Sequence, residues 1–141
     1  MQVETILQAK GRNVTTVAPG ATIGEAVALL NTHRIGAVVV LDGGKVVGIL
    51  SERDVVRHLG DDWAALARRS VAEIMTRNVV TSDRFASVAD ISERMTEKRI
   101  RHLPIVEDGA LVGIVSIGDV VKRRIEETEF EATALKEYIA S

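Results

Sequence analysis

Hydrophobic positions along the chain alternate between helical and extended patterns in a fixed order. Residues 23–30 place their apolar side chains at i, i+3, i+4 and i+7, which predicts an amphipathic helix with one buried face. A β-branched run at residues 37–41 follows, and a second apolar run spans residues 46–50. The Asp-Gly-Gly-Lys between the two runs predicts a β-hairpin.

The same order of elements recurs in the second half. Residues 88–95 repeat most of the helical pattern, and residues 102–106 and 111–115 form two apolar runs around an Asp-Gly turn. Short extended runs at residues 15–17 and 79–82 precede the helices, and a further helix begins after each hairpin. We therefore predict an α/β (α+β) fold of two tandem β-α-β-β-α repeats related by pseudo-two-fold symmetry, with strands covered by helices on both faces.

An internal duplication supports this organisation. Residues 5–57 align without a gap with residues 70–122, at a constant offset of 65 residues. The copies share Arg12/Arg77, Asn13/Asn78, Thr16/Thr81, Ala21/Ala86, Arg34/Arg99, Ile35/Ile100 and Gly44/Gly109. A unit repeated at fixed spacing needs its neighbour to bury its apolar face. We assign residues 1–65 to repeat 1, 66–125 to repeat 2 and 126–141 to a C-terminal helical extension, all within one globular module.

Two segments outside the repeated hairpins have helical patterns of their own. Residues 58–70 predict a Gly turn and a short amphipathic helix that points Trp63 and Leu66 inward. The helix after Asp119 continues towards the end of the chain, with Leu135, Tyr138 and Ile139 on one face. Such a face predicts that the extension packs on its own body or on a second subunit.

Composition narrows the function. The 141 residues are 46% hydrophobic and 27% charged, with a net charge of −2 and no basic run, so we expect no nucleic-acid partner. There is no cysteine, no signal-peptide pattern and no apolar segment long enough for a membrane span. His33, His58 and His102 lack metal-ligand spacing, so we expect no metal site. These features predict a cytoplasmic protein with no membrane partner.

The motif Gly-Ile-x-Ser-x-x-Asp closes each hairpin, as Gly48, Ser51 and Asp54 and again 65 residues later. Ser-x-x-Asp at a helix start is a capping box, and for one isolated copy capping is the simpler interpretation. However, both copies lie where a strand turns into a helix, which is where α/β folds bind ligands and phosphates. The pairing of the two copies therefore favours a ligand site.

The residue types of the motif suit a nucleotide. An ionised Asp can accept both hydroxyl protons of a ribose, and Ser with the first helical N–H groups can bind phosphate. The two motif glycines allow a flat group to approach the backbone. The extended runs around Thr16 and Thr81, with the strand starts at residues 35–38 and 101–104, supply an apolar slot for adenine.

Three features of the sequence resemble a tandem pair of CBS domains, a Bateman module. They are the paired motifs, the opening Thr-Val-x-Pro-x-x-Thr-Ile at residues 16–23, and residues 101–116, Arg-His-Leu-Pro-Ile-Val-Glu-Asp-Gly-Ala-Leu-Val-Gly-Ile-Val-Ser. The resemblance covers nearly the whole chain. It implies binding of AMP, ADP, ATP, NAD(H) or S-adenosylmethionine in clefts between the repeats, and a homodimer. It assigns Asp54 and Asp119 to ribose, Ser51 and Ser116 to ribose or phosphate, and the Thr16 and Thr81 segments to adenine.

The candidate nucleotide-binding residues come from both repeats. They are Thr16, Ile35, Gly36, Ala37, Val38, Gly48, Ser51, Arg53 and Asp54 in repeat 1, and Thr81, Arg101, His102, Leu103, Pro104, Ser116 and Asp119 in repeat 2. Arg53 has no counterpart in repeat 2, where Gly118 stands, whereas Arg101 and His102 replace Gly36 and Ala37. We therefore expect two sites of unequal affinity, and the sequence leaves open which half Arg101 and His102 serve.

Three hypotheses follow for the function. The first is a non-catalytic sensor of adenosyl nucleotides that signals to an unidentified protein target, since the 141 residues include no attached catalytic domain. The second is a structural homodimer module in which the Ser-x-x-Asp motifs only cap helices. The third, an enzyme acting on nucleotides, is disfavoured because neither Ser51 nor Ser116 has a nearby base, and we expect no catalytic residue.

Overall fold

The structure is a computed structural model that describes residues 1–140. The strands are β1 (Thr16–Val17), β2 (Ala37–Asp42), β3 (Lys45–Ser51), β4 (His102–Glu107) and β5 (Ala110–Ser116). The helices are α1 (Val3–Lys10), α2 (Ile23–His33), α3 (Glu52–His58), α4 (Trp63–Arg68), α5 (Val71–Ile74), α6 (Val88–Lys98) and α7 (Ile117–Ala140). The predicted α+β class and its two related repeats are confirmed.

Two β-hairpins with matching turns form the centres of the repeats. β2 pairs antiparallel with β3, and β4 pairs antiparallel with β5, each with a register shift at the same relative position. The first turn has Gly43 and Gly44 at φ 58° and 80°, and the second has Asp108 and Gly109 at φ 51° and 79°. Two consecutive residues of positive φ are typical of type I′ turns, whose twist matches that of the flanking strands.

The first strand of the two repeats differs. β1 pairs parallel with β2, and the amide of Val39 donates to the carbonyl oxygen of Thr15 at 3.2 Å. In repeat 2 the predicted strand at residues 79–82 is reduced to a single bridge between Ser82 and Ile105. Pro104 stands where repeat 1 has Val39, and proline has no amide hydrogen to donate. The prediction of a second short strand is therefore wrong because one ladder bond is missing.

The long helices of the two hairpin units begin and end alike. Thr22 caps α2 and Ser87 caps α6, each through its side-chain oxygen. Each helix ends at an arginine in the left-handed conformation, Arg34 at φ 51° and Arg99 at φ 54°. The predicted inward faces are buried, with Ile23, Ala26 and Leu30 in α2 and Val88, Ile91 and Met95 in α6.

Each sheet has its own core, and the two repeats exchange their N-terminal segments. Val3, Ile6 and Leu7 of α1 pack into the core of the second sheet, although α1 belongs to repeat 1 in the sequence. Leu66 of α4 and Val71 of α5 pack into the core of the first sheet. The hydrophobic pattern does not predict α1. It correctly predicts that Leu66 is buried, but the prediction that Trp63 points inward is wrong because its side chain is 43% exposed.

The last helix leaves the body. α7 begins beside Ser116, buries Val120 in its first turns and continues as one helix to Ala140. Its side chains from Thr128 to Ala140 are all exposed. The C-terminal helix predicted from the sequence is therefore present in the described part of the chain, and the final residue of the predicted extension, Ser141, lies outside the described residues.

Candidate functional site

Both Ser-x-x-Asp motifs are complete capping boxes. In repeat 1 the amide of Ser51 donates to Oδ2 of Asp54 at 2.9 Å, and the amide of Asp54 donates to Oγ of Ser51 at 3.3 Å. In repeat 2 the corresponding distances between Ser116 and Asp119 are 2.9 and 3.2 Å. Each box satisfies two amides at the start of a helix. Capping explains the geometry of one oxygen of each carboxylate and leaves the other oxygen for a further donor.

The surroundings of Asp54 go beyond capping. This carboxylate is only 8% exposed and is the one charged side chain among the buried residues of the described chain. Its Oδ1 accepts a hydrogen bond from Oγ1 of Thr76 at 3.3 Å, and its Oδ2 also accepts from Oγ of Ser51 at 3.2 Å. Thr76 follows α5, the segment that repeat 2 contributes to the first sheet. Two repeats therefore hold one carboxylate.

A cavity of about 340 Å³ lies beside Asp54, between the repeats. This volume is at the lower end of the range of small-molecule sites. From repeat 1 it is lined by Gly36, Ile49, Ser51, Glu52, Arg53, Asp54 and Arg57. From repeat 2 it is lined by Thr76, Arg99, Ile100, Arg101 and His102. The structure answers the question that the sequence left open, because Arg101 and His102 face the motif of repeat 1.

Positive charge dominates the cavity. Four arginines, Arg53, Arg57, Arg99 and Arg101, line it together with His102, whereas the carboxylates are those of Glu52 and Asp54. Guanidinium groups bind phosphate oxygens through paired N–H donors and keep their charge at any physiological pH. Ile49 and Ile100 give the same cavity an apolar part. The arrangement can accept a ligand with an anionic end and a flat apolar end.

The imidazole of His102 packs against Gly36 of the other repeat. A Cβ at Gly36 would lie 3.1 Å from both Cε1 and Nε2 of His102, so a larger residue would push the ring aside. Burial is the main influence on His102 and lowers its pKa. Glu52 opposes this effect, while the charges of Lys10 and Arg101 reinforce it. The ring is therefore held largely neutral at pH 7.

The second motif has a different partner. The ammonium of Lys10 donates to Oδ2 of Asp119 at 2.7 Å and to the carbonyl oxygen of Ile114 at 3.0 Å. Burial is the largest influence on Asp119 and raises its pKa, but the hydrogen bonds from Lys10 and Ser116 and the ammonium charge together lower it. The second carboxylate is thus ionised and already carries a cation from α1.

The predicted adenine-slot residues lie outside the cavity. Thr16 is in β1, and Thr81 lies in the segment that precedes α6. Ile35 borders a separate groove between α2 and α3. The side chains of four further residues are buried within the hairpins, namely Ala37, Val38, Leu103 and Pro104. None of these seven lines the cavity, and Val38 and Leu103 pack instead into the two cores.

The two motif glycines have a packing role in this structure. A Cβ at Gly48 would overlap the sulphur of Met75 and lie 2.9 Å from its Cγ. A Cβ at Gly113 would lie 2.6 Å from Cδ2 of Leu7. The glycines thus permit close approach of α5 and α1, the segments that the repeats exchange, whereas the sequence suggested close approach of a ligand.

Sequence reasoning missed several lining residues, namely Ile49, Glu52, Arg57, Thr76, Arg99 and Ile100. A signal existed for Arg99 and Ile100, which are identical to Arg34 and Ile35 in the internal alignment. Arg57 is one helical turn after Arg53, so the two guanidinium groups share a face of α3. No local pattern marks Thr76, whose contact with Asp54 spans 22 positions.

The fold and the cleft define a two-repeat α+β module with a cavity of small-molecule size at the repeat interface. The model of the CBS domain matches residues 8–61 and 71–126. The chain is 37% identical over 110 residues to the CBS domain-containing protein YhcV of Bacillus subtilis, covering 76% of each protein. The chain belongs to the CBS domain family, and the predicted resemblance is confirmed.

Solved structures agree with this assignment. The CBS-domain protein ATU1752 from Agrobacterium tumefaciens has a TM-score of 0.83 at 47% identity, covering 88% of this chain and 99% of that one. The CBS domain pair of protein MJ0100, solved with 5-methylthioadenosine and S-adenosyl-L-methionine, has a TM-score of 0.78 at 29% identity, covering 90% and 98%. Two further curated relatives are longer, and the chain spans 60% and 22% of their lengths.

Two further observations concern metals and membranes. Within residues 1–140 no three His, Cys, Asp or Glu side chains cluster as a metal site would require. None of the helices in the described range is both long enough and apolar enough to cross a bilayer.

Proposed function

We propose that the cavity beside Asp54 binds an adenosine nucleotide and that the protein is a regulatory sensor of that nucleotide. The observation that carries the proposal is the convergence of a buried, two-repeat carboxylate with four arginines around one cavity. The related CBS pair of MJ0100, solved with two adenosine-containing ligands, supports the adenosine part. The family membership of the chain concerns its fold, and the proposed function adds the class of ligand.

Each part of a nucleotide has a matching group in the cavity. Oδ1 of Asp54 is held by a single hydroxyl, that of Thr76, and is available to a ribose hydroxyl. Ile49 and Ile100 offer apolar surface to a purine. The guanidinium groups of Arg53 and Arg57, on one face of α3, are suited to phosphate oxygens.

The charge of the cavity selects among adenosine ligands. S-adenosylmethionine carries a positive sulfonium group, which four arginines would repel. A chain of two or three phosphates has the opposite charge and enough oxygens for several guanidinium groups. We therefore propose the affinity order ATP and ADP above AMP, with S-adenosylmethionine weaker. NAD(H), with its diphosphate, remains within the proposed class.

The regulatory output follows from the position of the cavity. Its walls come from both repeats, so a ligand that contacts both walls binds one relative arrangement of the repeats better than another. That difference in affinity is the free energy available to change a surface seen by a partner. A homodimer and a protein target of the sensor belong to the same proposal.

A second candidate function is a structural module without ligand, and two observations favour it. Both Ser-x-x-Asp motifs are complete helix caps, and the second carboxylate already has a cationic partner in Lys10. Under this alternative the arginines around the cavity are solvated surface groups. The two candidates differ in what the carboxylate of Asp54 does in the presence of nucleotide.

Thermal unfolding of the nucleotide-stripped protein with ATP, ADP, AMP, NAD, S-adenosylmethionine and GMP tests the proposal. A ligand at about 100 times its dissociation constant adds roughly 2.7 kcal/mol. For a chain of this length each kcal/mol raises the midpoint by roughly 2–4 °C. Asp54→Asn should abolish the shift, because one amide oxygen cannot replace the carboxylate at both Ser51 and a ribose.

A matched control exists in the same chain. Asp90 also stands three residues after a capping serine, Ser87, but it is exposed and lies away from the cavity. Asp90→Asn removes the same charge at the same helical position and should preserve the nucleotide shift. Equal midpoints with and without every nucleotide would exclude the sensor and favour the structural module.

A further inference from the structure

An exposed hydrophobic stripe runs along the outer face of α7. Its members alternate at spacings of four and three residues, and every one of them is exposed. They are Val121, Ile125, Thr128, Ala132, Leu135 and Ile139. Alternating steps of four and three are the a and d positions of a heptad repeat, the seam of a coiled coil. The stripe spans more than two heptads, and Thr128 is its one polar member.

The body of the protein does not cover this stripe. Leu135 is 59% exposed and Ile139 is 73% exposed, which is unusual for two large apolar side chains on one face of a helix. Glu131 lines a groove together with Met1 and Ser87. The nine residues after it extend α7 by roughly 13 Å. Most of the stability of a helix in a protein comes from the packing of its apolar face, and this segment leaves that face exposed.

The residue types along the stripe favour two strands. With Ile125, Ala132 and Ile139 at a positions, the d positions hold Val121, Thr128 and Leu135, so the last heptad combines Ile at a with Leu at d. Ile at a combined with Leu at d is the pattern of parallel dimers, in which each side chain inserts between four residues of the facing helix. The small side chains of Thr128 and Ala132 in the middle permit close approach but bury little area, so the pairing is of moderate affinity.

The charges beside the stripe select the orientation. In a parallel pair each g position faces the e position five residues later in the other helix. Arg124 then faces Glu129 of the second copy, and Glu131 faces Lys136 of the second copy. Both pairs have opposite charges. The Arg124 side chain is half-exposed and its present ion pair is with Glu127 on its own helix, at 2.9 Å.

The antiparallel alternative is electrostatically unfavourable. When the stripe overlaps fully in the opposite direction, e faces e and g faces g. Lys122 then faces Lys136 of the second copy, and Glu129 and Glu131 each face their own counterparts. Like charges at these positions destabilise a coiled coil. We propose that a second copy of this chain covers the stripe, and that the two α7 helices form a parallel, in-register coiled coil.

Sedimentation velocity on the full chain tests the pairing. The wild type should be a dimer at micromolar concentration, and Leu135→Asp should raise its dissociation constant by roughly tenfold or more. Ala134→Asp adds the same charge one residue away, off the stripe, and should leave the dimer intact. A monomeric wild type, or a dimer equally tolerant of both variants, would overturn the proposal.

Single-cysteine crosslinking tests the orientation, because the chain has no native cysteine. In a parallel register Ile139→Cys brings two thiols together across the seam, within the separation that a disulfide requires. Glu137→Cys, which points away from the seam, is the matched control. Oxidation should convert the Ile139→Cys protein to a covalent dimer in high yield and the Glu137→Cys protein in low yield. Equal yields would contradict the parallel arrangement.

Charge exchange provides an independent readout. Glu131→Lys places an ammonium opposite Lys136 of the second copy, and Lys136→Glu places two carboxylates opposite each other. Each single variant should weaken the dimer several-fold, and the double variant should restore it. The two positions are five residues apart and do not face each other within one helix, so restoration reports contact between helices. Additive weakening in the double variant would refute the pairing.

Discussion

The Nζ atom of Lys10 lies 2.7 Å from Oδ2 of Asp119, so the second capping box contains a cation supplied by α1 of repeat 1. At the corresponding position, 65 residues later, repeat 2 has Met75, and Asp54 has only hydroxyl and amide donors. The two repeats are therefore similar in fold but differ in the charges around their motif carboxylates. The halves differ in what their carboxylates already bind.

We predict that Lys10→Met makes the second carboxylate available to ligand. The substitution copies the residue at the equivalent position and removes the ammonium from Asp119. Titration calorimetry with ATP should then change from one ligand per chain towards two. Because the ion pair is partly exposed, the loss of stability should be small, about 1 kcal/mol or less. Lys98→Met, an exposed lysine at the end of α6, is the control and should leave the stoichiometry at one.

His102 should make stability depend on pH in mildly acidic solution. Burial lowers the pKa of His102 in the folded protein below 6.5. As the pH falls, the imidazole is therefore protonated in the unfolded chain before it is protonated in the folded protein. The contribution of the neutral imidazole to the free energy of unfolding is complete above pH 6.5. It is lost as the pH falls from 6.5 through the pKa that His102 has in the folded protein. Glu52 and Asp119 partly oppose this effect. His102→Asn should flatten the dependence of the unfolding midpoint on pH between about 7.5 and 5.5, with His33→Asn as the control for loss of an imidazole.

A steeper acid dependence in the His102→Asn protein than in the wild type would contradict the direction of the pKa shift. The result would mean that the charged ring stabilises the folded state. In that case the Glu52 carboxylate, and not burial, would dominate the environment of the imidazole.

Local signals in the sequence predicted most of the fold. The hairpins follow from apolar runs around turns such as Gly43 and Gly44, and α2 from its helical period, because these depend on neighbours a few positions apart. The missing strand of repeat 2 could also have been read from Pro104, which removes one ladder bond. The exchange of α1 between the repeats has no local signature, since it depends on long-range packing such as that of Leu7 over Gly113.

The residues of the candidate site were predictable only where the motif or a difference between the two repeats marks them. Ser51 and Asp54 were identified from their spacing, and Arg101 and His102 from their departure from repeat 1. The partner groups were not, because the Lys10 to Asp119 contact spans 109 positions and the contact of Asp54 with its threonine partner spans 22. Long-range juxtaposition depends on how the repeats pack, and the apolar pattern of either repeat contains no information about it.

Close packing at the motif glycines predicts that Gly48→Ala destabilises the fold. The added Cβ would overlap Met75 and lie 3.1 Å from the backbone carbonyl oxygen of Thr76, which cannot move as a side chain can. We expect a loss of roughly 1–3 kcal/mol, which thermal or urea unfolding would measure. Gly20→Ala is the control, since nothing lies within 4 Å of its Cβ position. Equal stability of the two variants would mean that α5 can move enough to accommodate the added Cβ at little cost in free energy.

The arginines of the cavity give the sharpest test of ligand class. Arg57 is exposed and lies one turn from Arg53, so Arg57→Gln removes one guanidinium from the cavity while the helix and the capping box remain. If the group binds phosphate, its loss should weaken ATP roughly tenfold, AMP less, and adenosine hardly at all. Calorimetry at low and high salt would measure this, because screening should weaken ATP binding to the wild type more than to the variant.

Arg68→Gln, at the exposed end of α4 and outside the cavity lining, is the matched control and should bind all three ligands as the wild type does. An equal loss for ATP and adenosine in Arg57→Gln would mean that the side chain shapes the cavity and does not contact phosphate. The positive charge of the cavity would then have no role in selecting the ligand, and the proposed order of ATP over S-adenosylmethionine would fail with it.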